Sequence, residues 1–117
     1  MRYMLLAHGT NAAFIARGPA WVEEVVGFLA RFEDDLAATS ELEWTEVLDD
    51  DELAEVVGPG GESRTGWYNE AGKPLRRVWA VKVDTHHARA RELAGLLAGE
   101  LDTWVEVRRC MPGAQRP

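Results

Sequence analysis

Hydrophobic and polar positions alternate, then space out, then alternate again along this chain. Residues 2–8 are short and apolar, which predicts a buried strand ended by Gly9-Thr10-Asn11. Gly18-Pro19 marks a boundary, with proline suited to a helix's first turn. From about Ala20 to Ala38 the spacing is helical: Val22, Val25, Leu29, Phe32 and Leu36 recur at steps of three and four. Glu23, Glu24, Arg31, Asp34 and Asp35 fall mainly on the other side, and the two glutamates suit the start of the helix dipole. Leu42 to Leu48 reads as a half-buried strand with Leu42, Trp44 and Leu48 on one face, a pattern that Glu46 breaks. Asp49-Asp50-Asp51-Glu52 is a charged turn, residues 53–57 a short strand, and Gly58-Pro59-Gly60-Gly61 a loop.

Residues 62–68 and 75–83 are expected to pair as a hairpin around Asn69-Glu70-Ala71-Gly72. In the second arm Arg77, Trp79, Val81 and Val83 share one face, and Val78, Ala80 and Lys82 the other. Asp84 or Thr85 can cap a second helix that runs to about Ala98, with Ala90, Leu93, Ala94 and Leu97 inward. A last strand covers about Thr103 to Arg109. The order is β-α-β-β-α-β, which predicts one α+β domain over residues 1–111, a ferredoxin-like sandwich, followed by a frayed tail at 112–117. Both helices then cover one sheet face. Five tryptophans are hard to hide in so small a domain. Pairing of the bare sheet faces in a homodimer, a dimeric α+β barrel, is the simplest cover, and it would enclose a pocket.

Composition narrows the classes. The formal net charge of −7, with no linear basic run, argues against nucleic acid and against an anionic membrane. No apolar run reaches the ~20 residues of a membrane span. A single cysteine, Cys110, excludes an internal disulfide. The opening residues have too short an apolar stretch for a secretory signal, so the expected location is cytoplasmic.

Arg2-Tyr3-Met4-Leu5-Leu6, Ser40-Glu41-Leu42 and Val105-Glu106-Val107-Arg108, in this order along nearly the whole chain, resemble YCII-related proteins of the DGPF type. The resemblance implies a dimeric α+β barrel. The Asp-Gly-Pro-Phe signature itself is not preserved: Thr65-Gly66-Trp67 stands roughly there and keeps only the glycine. The histidine expected near the start of the first helix is replaced by Ala20-Trp21-Val22, so no catalytic residue carries over. Many members have no assigned activity, and some stand beside alternative sigma factors, which implies a regulatory partner for those.

The chemistry-bearing residues are few. His8, at a strand end, is the weak catalytic candidate, as a general base, against the plainer reading of a packed histidine. Glu106 and Arg108 share strand parity with Trp104. They point either into an inter-sheet pocket, where the arginine would bind a carboxylate or phosphate, or into a structural ion pair at a subunit interface. Val105 and Val107 are the better fit to the helix-facing core. Trp67 and Trp79, expected to face each other across the hairpin, complete the pocket candidates. His86 and His87, about 100° apart on a helix, cannot chelate one ion, and no metal or cofactor is expected. The aspartate run lacks calcium-loop spacing, the glycine loop lacks the residues of a phosphate loop, and Cys110 has no base near it in sequence. Three functions stay open: a binder or cofactor-independent enzyme for a small acidic or aromatic compound, a regulatory interaction module, and a ligand-free dimer.

Overall fold

A computed structural model describes residues 1–84 and 87–113. Its strands are β1 (Arg2–His8), β2 (Leu42–Val47), β3 (Glu55–Val57), β4 (Ser63–Thr65), β5 (Leu75–Lys82) and β6 (Val105–Arg109), and its helices α1 (Asn11–Ile15), α2 (Pro19–Ala38) and α3 (His87–Leu101). Four strands form one antiparallel sheet in the order β2-β5-β1-β6. Each long helix bridges two strands that are not neighbours, so the architecture is α+β with ferredoxin-like order.

Strand parity decides what each sheet face carries. Tyr3, Leu5 and Ala7 of β1, with Trp79 and Val81 of β5, are buried beneath the helices, and Val105 and Val107 of β6 pack beside them. Register aligns these in rows: Leu5 lies between Trp79 and Val107, and Ala7 between Arg77 and Val105. The helices meet the sheet through Val25, Leu29, Phe32 and Leu36 of α2 and Ala90, Leu93, Ala94 and Leu97 of α3, all buried. Alternate strand residues face away: Met4, Leu6, Val78, Ala80, Glu106 and Arg108.

Three sequence expectations are corrected. The segment 62–68 does not pair with β5. β4 pairs with β3 in a separate two-stranded sheet, closed by the glycine loop through a Gly58 N–H to Glu62 carbonyl bond of 2.7 Å. Its place beside β5 is taken by β2, whose six residues match β5 in length and apolar content better than Ser63-Arg64-Thr65 does. Leu42 and Trp44 do not share a face. The register shifts at Glu43, so Leu42 lies opposite Val81 on the helix side and Trp44 opposite Ala80 on the bare side, as an extra residue in a strand demands. The first turn of α2, which starts at Pro19, contains no acidic residue; Glu23 and Glu24 come after it. Residues 11–15, to which the sequence pattern assigned no element, form α1, with the Thr10 hydroxyl accepting from the Ala13 amide at 3.1 Å. Gly18 joins α1 to α2 at φ 101°, ψ 155°, a backbone conformation essentially confined to glycine.

His86, Thr85 and the last four residues of the expected tail lie outside the described residues. His87 is exposed and meets the Tyr3 ring edge-on at 5.5 Å. Among the described residues no helix is long and apolar enough to cross a membrane.

Candidate ligand cavity

The helix-facing row of β1 tapers in side-chain size, Tyr3, Leu5, Ala7. Where it reaches alanine, the helices have nothing bulky to rest on. A cavity of about 390 Å³ opens there, within the range of small-molecule sites. Ala7 forms its floor, Trp79 and Leu29 its inner wall, and Phe14 and Trp21 its outer wall. The mouth lies where β1 and α3 end and α1 and α2 begin.

The walls are aromatic, and cations lie over them. The Phe14 and Trp21 rings meet edge-to-face at 5.2 Å. The guanidinium of Arg76 lies 3.8 Å over Phe14, that of Arg17 4.3 Å over Trp21, and that of Arg77 5.2 Å over Trp79. Such contacts hold each planar cation against an apolar wall without surrounding it with water.

Two of these arginines have counter-charges. Arg17 pairs with Asp102 at 3.2 Å across the mouth, joining the α1–α2 connection to the end of α3. Arg77 is tied to Glu33 of α2 at 2.5 Å, and the same Glu33 oxygen accepts from the Trp79 indole N–H at 2.9 Å. One half-buried carboxylate thus fixes an arginine and a tryptophan of the cavity together. Among the described residues, Arg77 Nε is buried and has no hydrogen-bond partner. Arg76 differs from both. Among the described residues its guanidinium donates to the Asn11 amide oxygen at 3.4 Å and forms no carboxylate ion pair. Burial, then the adjacent Arg77 charge, push Arg76 below its ordinary value, with Asp51 pulling the other way. The Asp51 carboxylate is itself engaged, accepting from the Asn11 backbone amide at 2.6 Å. The acidic turn therefore anchors α1 instead of standing free in solvent, and no cluster of metal-ligating side chains occurs among the described residues.

Of the residues singled out from the sequence, the structure brings His8 and Trp79 to this cavity. The other four lie elsewhere. Trp67 is held by its own loop, its indole N–H donating to the Gly72 carbonyl at 2.7 Å; since β4 does not pair with β5, it does not face Trp79 across a hairpin. Trp104 precedes β6 and is 93% exposed. Glu106 and Arg108 are on the bare face, where Glu106 lies 3.7 Å from His8 Nε2 and 3.4 Å from Arg108. Trp79 is on the opposite face from them and cannot help wall a pocket between two sheets.

Phe14, Arg17, Trp21, Glu33 and Arg76 are the lining and positioning residues that sequence reasoning did not single out. One signal was present. Arg77 is in phase with Trp79, Val81 and Val83, and a charge inside an otherwise buried row needs a partner. Glu33 likewise stands four residues after Leu29, on the buried side of α2. Phe14 gave no signal, because a five-residue helix is too short to show a period. No family model matches the chain, and no curated protein matches it.

Proposed function

We propose that the protein binds a small molecule with a flat apolar body in the cavity between its sheet and helices. The observation that carries this reading is the cavity itself: an aromatic-walled space of 390 Å³ that the core leaves unfilled beside Ala7. Burying an apolar ligand there gains roughly 25 cal/mol per Å² of surface removed from water. The resemblance to YCII-related proteins agrees with such a role and supplies no catalytic residue, so binding, with or without a reaction, is the extent of the proposal.

A neutral aromatic probe, 2-naphthalenemethanol, should quench or shift tryptophan fluorescence saturably. Val26→Trp, which adds bulk at the mouth from a position 57% exposed, should abolish the effect without unfolding the protein. Absence of saturable binding would favour the ligand-free dimer or the regulatory interaction module.

The bare sheet face supports the homodimer. Met4, Leu6, Val78 and Ala80 form an apolar centre. Arg2, Lys82 and Arg108 lie around it with Glu43, Glu46 and Glu106, so the rim carries both signs and suits a second copy of itself. Sedimentation should give about twice the 13.0 kDa chain mass. Leu6→Glu, at a half-buried position of that face, should halve it.

A further inference from the structure

We propose that the cavity's ligand is an organic anion, its carboxylate or equivalent oxyanion seated between Arg76 and the unpaired edge of Arg77 and its apolar body lying against Trp79 and Leu29. This rests on the cavity being a small-molecule site and adds the chemical class of what enters it. The lining carries Arg17, Lys73, Arg76 and Arg77 but one carboxylate, Asp102, in a chain whose net charge is −7. A local excess of cations inside an acidic protein is not a consequence of composition.

The pairing of these cations is also incomplete among the described residues: Arg77 has Glu33 as its counter-charge but keeps an unsatisfied donor. Arg77 spends its Nη2 on Glu33, while its Nε is buried without a partner. A buried N–H left unpaired is costly, and a guanidinium presents its donors as a fork matched to two oxygens of one anion. Arg76, next in sequence, has an aromatic ring beneath it and an amide oxygen at the far limit of hydrogen bonding, with no carboxylate ion pair among the described residues. Both arginines line the cavity, and the Arg77 charge opposes that of the half-buried Arg76. An anion between them removes the repulsion and satisfies the orphan donor together. Glu33 as placed does neither: its Oε2 serves Arg77 Nη2 and Trp79, and it makes no hydrogen bond to Arg77 Nε or Arg76 among the described residues.

The test uses two matched probes on the intact chain, 2-naphthoate and neutral 2-naphthalenemethanol, each titrated by calorimetry. Wild type should bind the naphthoate at least about tenfold more tightly, the scale of one charge-assisted contact. Its affinity should fall with added KCl while the alcohol's does not. Arg76→Gln should reduce naphthoate affinity about tenfold and leave the alcohol unchanged, and Arg76→Lys should retain part of the preference. Far-ultraviolet circular dichroism checks that each variant is folded. Equal affinities in wild type, or an equal loss of both probes in Arg76→Gln, would overturn the anion assignment while leaving the cavity a binding site. Failure of both probes to bind wild type would overturn the cavity reading and this inference with it.

Discussion

The two faces of the sheet are built from the same strands and differ in almost everything else. Under the helices, the rows Thr45–Trp79–Leu5–Val107 and Val47–Arg77–Ala7–Val105 are apolar except for Thr45, whose hydroxyl donates to the Val78 carbonyl, and Arg77 at the cavity. On the bare side, an apolar centre is ringed by charges of both signs. The helix-covered face has to fill space, so its one gap is informative. The bare face has no such constraint, and its Glu106 and Arg108 pair with one another at 3.4 Å, with His8 Nε2 3.7 Å from Glu106. A charge that finds its partner on an exposed face has little left to offer a ligand. A half-buried charge at the cavity that forms no carboxylate ion pair among the described residues, as at Arg76, does.

Truncation separates the two faces most strongly. Leu5→Ala, fully buried under the helices, should cost about 2–5 kcal/mol in denaturant unfolding. The adjacent Leu6→Ala, on the bare face, should cost less, and its cost should grow with protein concentration if that face is a dimer contact. Equal, concentration-independent costs would show that the faces are not energetically distinct.

A smaller effect with a more specific signature is expected at Glu33. Glu33→Gln removes the charge that Arg77 and Trp79 share and should cost about 1.5–3 kcal/mol, the range for a hydrogen bond to a charged group. The same change frees the Arg77 guanidinium, so 2-naphthoate affinity should rise severalfold as stability falls. A parallel fall in both would mean that Glu33 serves only to hold the wall.

The smallest effect lies away from the cavity. The Arg89 guanidinium, hydrogen-bonded to Glu41, holds that carboxyl below its usual range; burial opposes this and the Thr39 hydroxyl assists. A carboxyl lowered on folding contributes stability that is present above its unfolded value, ~4.3, and lost as pH falls through the lower folded value. Wild type should therefore exceed Glu41→Gln by about 0.5–1 kcal/mol at neutral pH, solvent around the 37% exposed Arg89 keeping the figure small. The difference should vanish in acid.

How far the sequence foretold these features follows the range of the interactions involved. α2, α3, β1, β5 and β6 announce themselves through period, because their burial is continuous along the element. Strand parity alone placed Val105 and Val107 against the helices and Glu106 and Arg108 on the other side. The bulge at Glu43 and the pairing of β4 with β3 depend on which distant strand wins an edge, and no local pattern records that. The cavity escaped for the same reason. It is a space left by Ala7, walled from α1, α2 and β5, and only the assembled fold brings Phe14, Trp21 and Trp79 around it. A pocket sought between sheets selected residues by parity, whereas the pocket found lies on the opposite parity.

The five tryptophans divide between these surfaces and provide the most direct test. Trp21 and Trp79 line the cavity, Trp44 lies on the bare face, Trp104 stands exposed, and Trp67 is held in its own loop. Titration of ¹⁵N-labelled protein with 2-naphthalenemethanol, followed through the indole N–H resonances, should shift Trp21 and Trp79 saturably and leave Trp44 and Trp104 in place. Saturable shifts of Trp44 and Trp104 with Trp21 and Trp79 unmoved would contradict the account and return the ligand to the bare face of the sheet.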